Sequence, residues 1–149
     1  MIGNISPMSR ATELPCSARF ADFLANEAVP WVRENYHATS DPALTFVAGS
    51  SYGGLAAAFA AFHHPEVFDN VLSQSGSFWW APDGDSEAEW LAKQFATSPK
   101  LPIRFYFEVG LLETEPTPSN GPSQVVANRH FRDVLECERL LTLLPGVQR

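Results

Sequence analysis

The stretch Thr45-Phe46-Val47-Ala48-Gly49-Ser50-Ser51-Tyr52-Gly53-Gly54-Leu55 constrains this chain more than any other. An apolar run that reads as a strand enters Gly-Ser-Ser-Tyr-Gly, and an Ala-rich run that reads as a helix leaves it. A G-x-S-x-G pattern in a strand–turn–helix context is a nucleophile elbow. The serine at the tip of such a turn is forced toward unusual backbone geometry, and side chains two residues before and after it are expected to collide. Gly49 and Gly53 remove those side chains. The Ser51 hydroxyl is then held above the sheet. The Tyr52 N–H, at the start of the next helix, points to where an oxyanion would form. Without the flanking strand and helix, the same residues would read as a tight turn and nothing more.

Around the elbow, strand and helix patterns alternate. Phe20, Phe23, Leu24, Ala28, Trp31 and Val32 recur at helical spacing, so 17–36 reads as an amphipathic helix that Pro30 should kink or end. Ser40-Asp41-Pro42 signals a turn, and Leu44 to Ala48 is the strand feeding the elbow. Leu55 to Phe62 has no polar face, which marks a buried helix. His63 and His64 follow it, and their simplest role is to meet the helix dipole in its last turn. Asn70 to Gln74 reads as a second strand and Leu101 to Val109 as a third. Helices are expected over 87–95 and 124–138, and the Pro-, Ser- and Gly-rich stretch 114–122 is a loop. Met1 to Asn4 looks like the end of a further strand. The pattern indicates an α/β fold with a mostly parallel sheet in one domain over 1–149. So few strands leave both sheet edges open. The tail 139–149 carries no strand signal.

The 149 residues are enough for a real core. A net charge of -7 argues against nucleic acid as a partner. No apolar run approaches the roughly 20 residues that span a bilayer, so no membrane partner is expected. There is no signal-peptide pattern, and two cysteines, Cys16 and Cys137, make no disulfide framework. A cytoplasmic location is the expectation. Neither clustered Cys or His at zinc spacing nor a phosphate-cradling loop is present, so no metal or cofactor is expected.

A serine hydroxyl needs a base, usually His, and the imidazolium that forms needs a carboxylate. In the order that follows a nucleophile elbow, the acid comes next and the His last. Glu113, just past the end of the third strand, is the first candidate acid. Glu108, inside that strand, is the second. The only histidine after Glu113 is His130, in mid-helix, where it is poorly placed to hang over the elbow. His37, His63 and His64 come too early. Phe78, Trp79 and Trp80, straight after the second strand, are either core or the walls of a pocket at the carboxyl ends of the strands.

Three segments resemble the catalytic domain of enterochelin (enterobactin) esterases, in the esterase D-like group of α/β-hydrolases. They are Arg10-Ala11-Thr12-Glu13-Leu14-Pro15-Cys16, Val47 to Leu55, and Leu72-Ser73-Gln74-Ser75-Gly76-Ser77-Phe78-Trp79-Trp80. The likeness runs from about Met1 to about Glu136. It implies cytoplasmic hydrolysis of the ester bonds of a catecholate siderophore trilactone, a small-molecule ester substrate. It also implies Ser51 as nucleophile, Tyr52 N–H as one oxyanion donor, and a second donor from the loop after Met1 to Asn4. Glu113 falls in the family's Gly-x-x-Glu segment after its late strand. Arg10 and Arg129 are implied as holders of an anionic ferric catecholate, with Phe78, Trp79 and Trp80 as aromatic walls. Members carry their His in a Gly-Gly-His-Asp loop; residues 138–145 here read Glu-Arg-Leu-Leu-Thr-Leu-Leu-Pro. The chain therefore reads as a fragment cut at both ends, with a frameshift near Glu136 explaining its changed character. Activity is expected to be weak or absent. The alternatives are a general aryl or acyl esterase and a non-catalytic ligand-binding remnant.

Overall fold

The computed structural model describes residues 14–82, 88–117 and 121–137. The expected strand at Met1 to Asn4, Arg10 and the tail 139–149 lie outside them. Three parallel strands, β1 (Phe46–Ser50), β2 (Asn70–Gln74) and β3 (Arg104–Glu108), form one sheet in the order β1-β2-β3. The fold is α/β, as expected. The register is level: Ser50 pairs with Gln74, and Gln74 with Glu108. All three strands therefore stop in one row, and whatever follows them is delivered to a single edge of the molecule. Among the described residues β1 and β3 are both open edges.

Helix α3 (Tyr52–His63) leaves β1 and packs over β1 and β2. Gly54 to Ala61 are all buried, as an all-apolar helix requires. Its many alanines let neighbours come close. Helix α1 (Ala18–Phe23), capped by Ser17, runs into a π-turn (Leu24–Ala28) and then α2 (Val29–Asn35). Pro30 thus sits in the first turn of a new helical segment rather than breaking the old one. The π-turn closes with Val29 N–H on Leu24 O, just ahead of the residue that has no N–H to give.

The buried face of this long helix differs from the expected one. Ala21 and Ala25 are buried, whereas Phe23, Trp31 and Val32 are exposed. Small residues face the Ala-rich α3, and close helix approach outweighs placing the large side chains inward. Leu44 and Phe46 at β1 remain exposed, as do Trp31 and Tyr36, whose rings meet at 5.9 Å.

Helices α4 (Trp90–Thr97) and α5 (Gln124–Cys137) complete the core. Phe131 is fully buried among the rings of Phe78, Phe95, Phe105 and Phe107, with centroids 4.3 to 5.7 Å away. Phe105 and Phe107 lie two residues apart on one sheet face. The opposite row, Ala48, Leu72 and Tyr106, is exposed or half-buried. No helix among the described residues is long and apolar enough to cross a membrane.

Candidate active site

β1 ends at Ser50, and the next residue takes φ 56° and ψ −123° before α3 begins at Tyr52. A non-glycine residue at such angles costs on the order of 1–3 kcal/mol. The turn holds because its hydrogen bonds over-determine it. Ser51 N–H donates to Gln74 O at 2.9 Å, while Ser51 O accepts from Gly54, Leu55 and Ser77 N–H at 3.0 to 3.2 Å. A Cβ on Gly49 would overlap the Gly53 carbonyl, so that glycine is obligatory. Gly53 differs from expectation, since a Cβ there would meet nothing within 4 Å. The second tight glycine is Gly54, whose Cβ would come within 2.6 Å of Ser73 Oγ and 3.0 Å of Gly76 Cα. The helix start is pressed against β2 and the turn after it.

The Ser51 side chain is exposed, and its Oγ lies 3.3 Å from the Oγ of the buried Ser77. Tyr52 is the first residue of α3, so by position its N–H has no intrahelical acceptor. A helix N-terminus beside a projecting hydroxyl can both present a nucleophile and receive a developing negative charge.

The two candidate acids have separate settings. Glu108, level with Gln74 in the sheet, accepts from Gln74 Nε2 at 2.9 Å. Glu113 lies in the exposed turn after β3. Its Oε1 accepts from Ser75 Oγ at 2.6 Å and from Gly110 N–H at 3.0 Å. Glu108 is engaged across the ladder, whereas Glu113 is tied to the residue that follows β2. Among the described residues neither carboxylate hydrogen-bonds a histidine.

The three aromatics divide. Phe78 is fully buried, stacked on Phe131 at 4.3 Å, and belongs to the core. Trp79, nearly buried, leans on the Tyr52 ring at 5.9 Å and donates its indole N–H to Gln124 Oε1 at 2.6 Å. Trp80 is half-buried and meets Trp90 edge-on at 6.4 Å. Arg129 is exposed on α5 and makes no ion pair among the described residues. His130 is exposed too, and its Nδ1 sits 3.0 Å from Glu89 Oε1.

Several residues around the site carry no motif. Gln124 holds Trp79 on one side and donates to the Ser75 carbonyl on the other. One turn along, Asn128 donates to Gly76 O and Gln124 O, each at 2.8 Å. Through these two side chains α5 fixes the whole turn 75–79, and with it Ser77. The available signal was a polar pair at i, i+4 among the apolar positions of that helix.

With this geometry in view, the likeness to known proteins can be placed on it. The family model described as "Putative esterase" matches residues 6–138. The Iron(III) enterobactin esterase of Escherichia coli O6:H1 is 38% identical over 115 residues, covering 76% of this chain and 29% of that protein. The enzyme of the same name from Dickeya dadantii is 46% identical over 79 residues, 53% of this chain and 18% of its own length. A crystal structure of the enterobactin esterase FES from Shigella flexneri, in the presence of enterobactin, superposes with a TM-score of 0.72 at 31% identity. It covers 95% of this chain and 35% of that one. The chain thus spans about a third or less of the length of these relatives. A fold match alone extends to a ferulic acid esterase, at 14% identity and a TM-score of 0.62. Sequence, fold and elbow agree that this chain belongs to the esterase family.

Proposed function

We propose that this chain carries the nucleophile and oxyanion elements of a serine ester hydrolase acting on catecholate siderophore esters. The observation that carries the reading is the strained Ser51, at φ 56° and ψ −123°, between a strand end and a helix N-terminus. Ser51 Oγ attacks the ester carbonyl and its proton passes to a base. The oxyanion is stabilised by the Tyr52 N–H, the alcohol leaves, and water releases the acyl group from Ser51. Ser77 Oγ lies 3.3 Å away, in hydrogen-bonding reach of the serine. Glu113 is the acid that would orient a histidine. Half-buried Trp80 offers aromatic surface, with Trp79 buried against Tyr52, and Arg129 offers a charge to an anionic substrate. The siderophore assignment leans on the relatives' names, enterobactin and salmochelin esterases.

Among the described residues Ser51 Oγ hydrogen-bonds Ser77 and no imidazole. A serine without its base retains only the residual catalysis of oxyanion hole and binding. Turnover by this polypeptide is accordingly slow. The same observation favours a second reading, in which the chain binds the ester without cleaving it. Ferric enterobactin and a set of p-nitrophenyl esters, each followed for hydrolysis and for binding, separate the possibilities. Slow cleavage of the siderophore that vanishes in Ser51→Ala supports the first. Preference for simple aryl esters moves the substrate to a general carboxylesterase. Binding without turnover, unchanged in Ser51→Ala, supports the second.

A further inference from the structure

The other end of the elbow helix carries a cluster that the ester chemistry does not use. His63 is the last residue of α3 and His64 its cap. Both imidazoles turn toward Asp22 on α1: His64 Nε2 is 2.8 Å and His63 Nε2 3.5 Å from Asp22 Oδ1. All three potential ligand atoms lie within 4.8 Å of one another. Ligands around a tetrahedral zinc at about 2.0–2.1 Å stand about 3.3 Å apart. The two measured separations bracket that value, so side-chain rotation alone would admit an ion.

Four further features suit a cation. Glu66 Oε1 lies 2.9 Å from His64 Nδ1. Both His64 nitrogens now face carboxylates, and an entering ion would displace the Nε2 proton that bonds Asp22 while Glu66 holds the remaining proton on Nδ1. The His63 ring stacks on Phe59 at 5.6 Å, which limits its swing. The carbonyl end of α3 also contributes partial negative charge. Asp22 and His63 are 52% and 39% exposed, which leaves an entry path and a fourth position for water.

We infer that Asp22, His63 and His64 form a binding site for one divalent cation of the zinc type. The ion would staple α1 to the C-terminal end of α3. Its distance from Ser51, about 18 Å along a 12-residue helix, makes it a structural site separate from catalysis. Adjacent histidines are not a zinc spacing, and the third ligand is distant in sequence, so pattern reading does not find it.

Titration of the full chain with Zn2+ against a chromophoric chelator tests this, together with Co2+ uptake read by its visible absorption. One ion per chain is expected, with an intense tetrahedral Co2+ spectrum. His63→Ala and Asp22→Asn should each weaken binding at least about tenfold, and Glu66→Gln about tenfold through lost orientation. At one fixed concentration, Zn2+ should raise the melting temperature of the parent chain by more than that of these variants. His63 is exposed, so its variant keeps the fold, which the melt confirms. Equal Zn2+ affinity in the parent, His63→Ala and Asp22→Asn would overturn the site, as would a Co2+ spectrum unaffected by them.

Discussion

β1 and β2 run side by side in register, and each hands over to a serine with positive φ, Ser51 at 56° and Ser75 at 45°. After β1 the chain enters a helix at once, so the strained residue stands at a helix N-terminus with its hydroxyl outward. After β2 the chain enters the turn 75–80, and the Ser75 hydroxyl is spent on Glu113. The same backbone device thus holds a reactive-looking group in one place and a structural tether in the other. What separates them is the next element, a helix with unsatisfied N–H groups against a turn pinned by Gln124 and Asn128. A positive φ on a serine is therefore no signature of a nucleophile by itself.

That contrast can be broken by substitution. The largest effect is expected at Ser51: Ser51→Ala should abolish labelling by a fluorophosphonate probe, while Ser75→Ala should leave it in place. Labelling lost equally in both would erase the distinction. Next comes Gly49→Ala, whose Cβ collides with the Gly53 backbone. It should cost about 3 kcal/mol in urea unfolding. Gly53→Ala, with open space around it, should be neutral or slightly stabilising on helix propensity. Ser51→Gly should relieve the strained turn and raise stability by about 1 kcal/mol while removing the labelling. A Ser51→Gly chain less stable than the parent would mean the turn stores no strain. Ser75→Ala, at an exposed hydrogen bond, should cost about 1 kcal/mol or less. The smallest effect belongs to His130→Ala. With its ring on Glu89, its loss should leave the labelling rate unchanged, and a slower rate would identify His130 as the base.

The elbow was legible because its constraints are local: an apolar run, one obligatory glycine and an apolar helix lie in consecutive residues. Three parallel strands, with β1 and β3 as open edges among the described residues, followed from the same reading. The separate settings of Glu108, inside β3, and Glu113, past its end, were also readable from position relative to the strand end. The rest depends on contacts made across the chain. Gly54 matters because β2 presses on it, and nothing near residue 54 in sequence says so. Phe78 is core because Phe131, on α5, stacks on it. The inward face of the first helix is set by the alanines of α3, which outweigh its own larger side chains. Gln124 and Asn128 carry no motif, and only the closing of α5 over the turn brings them to the site.

The central claim is that Ser51 is the nucleophile. Prolonged exposure of the chain to a fluorophosphonate, followed by mass-spectrometric location of the adduct, tests it most directly. The account predicts a slowly formed adduct on Ser51 and none in Ser51→Ala. An adduct on Ser75 or Ser77, or labelling in Ser51→Ala at the parent rate, would contradict it.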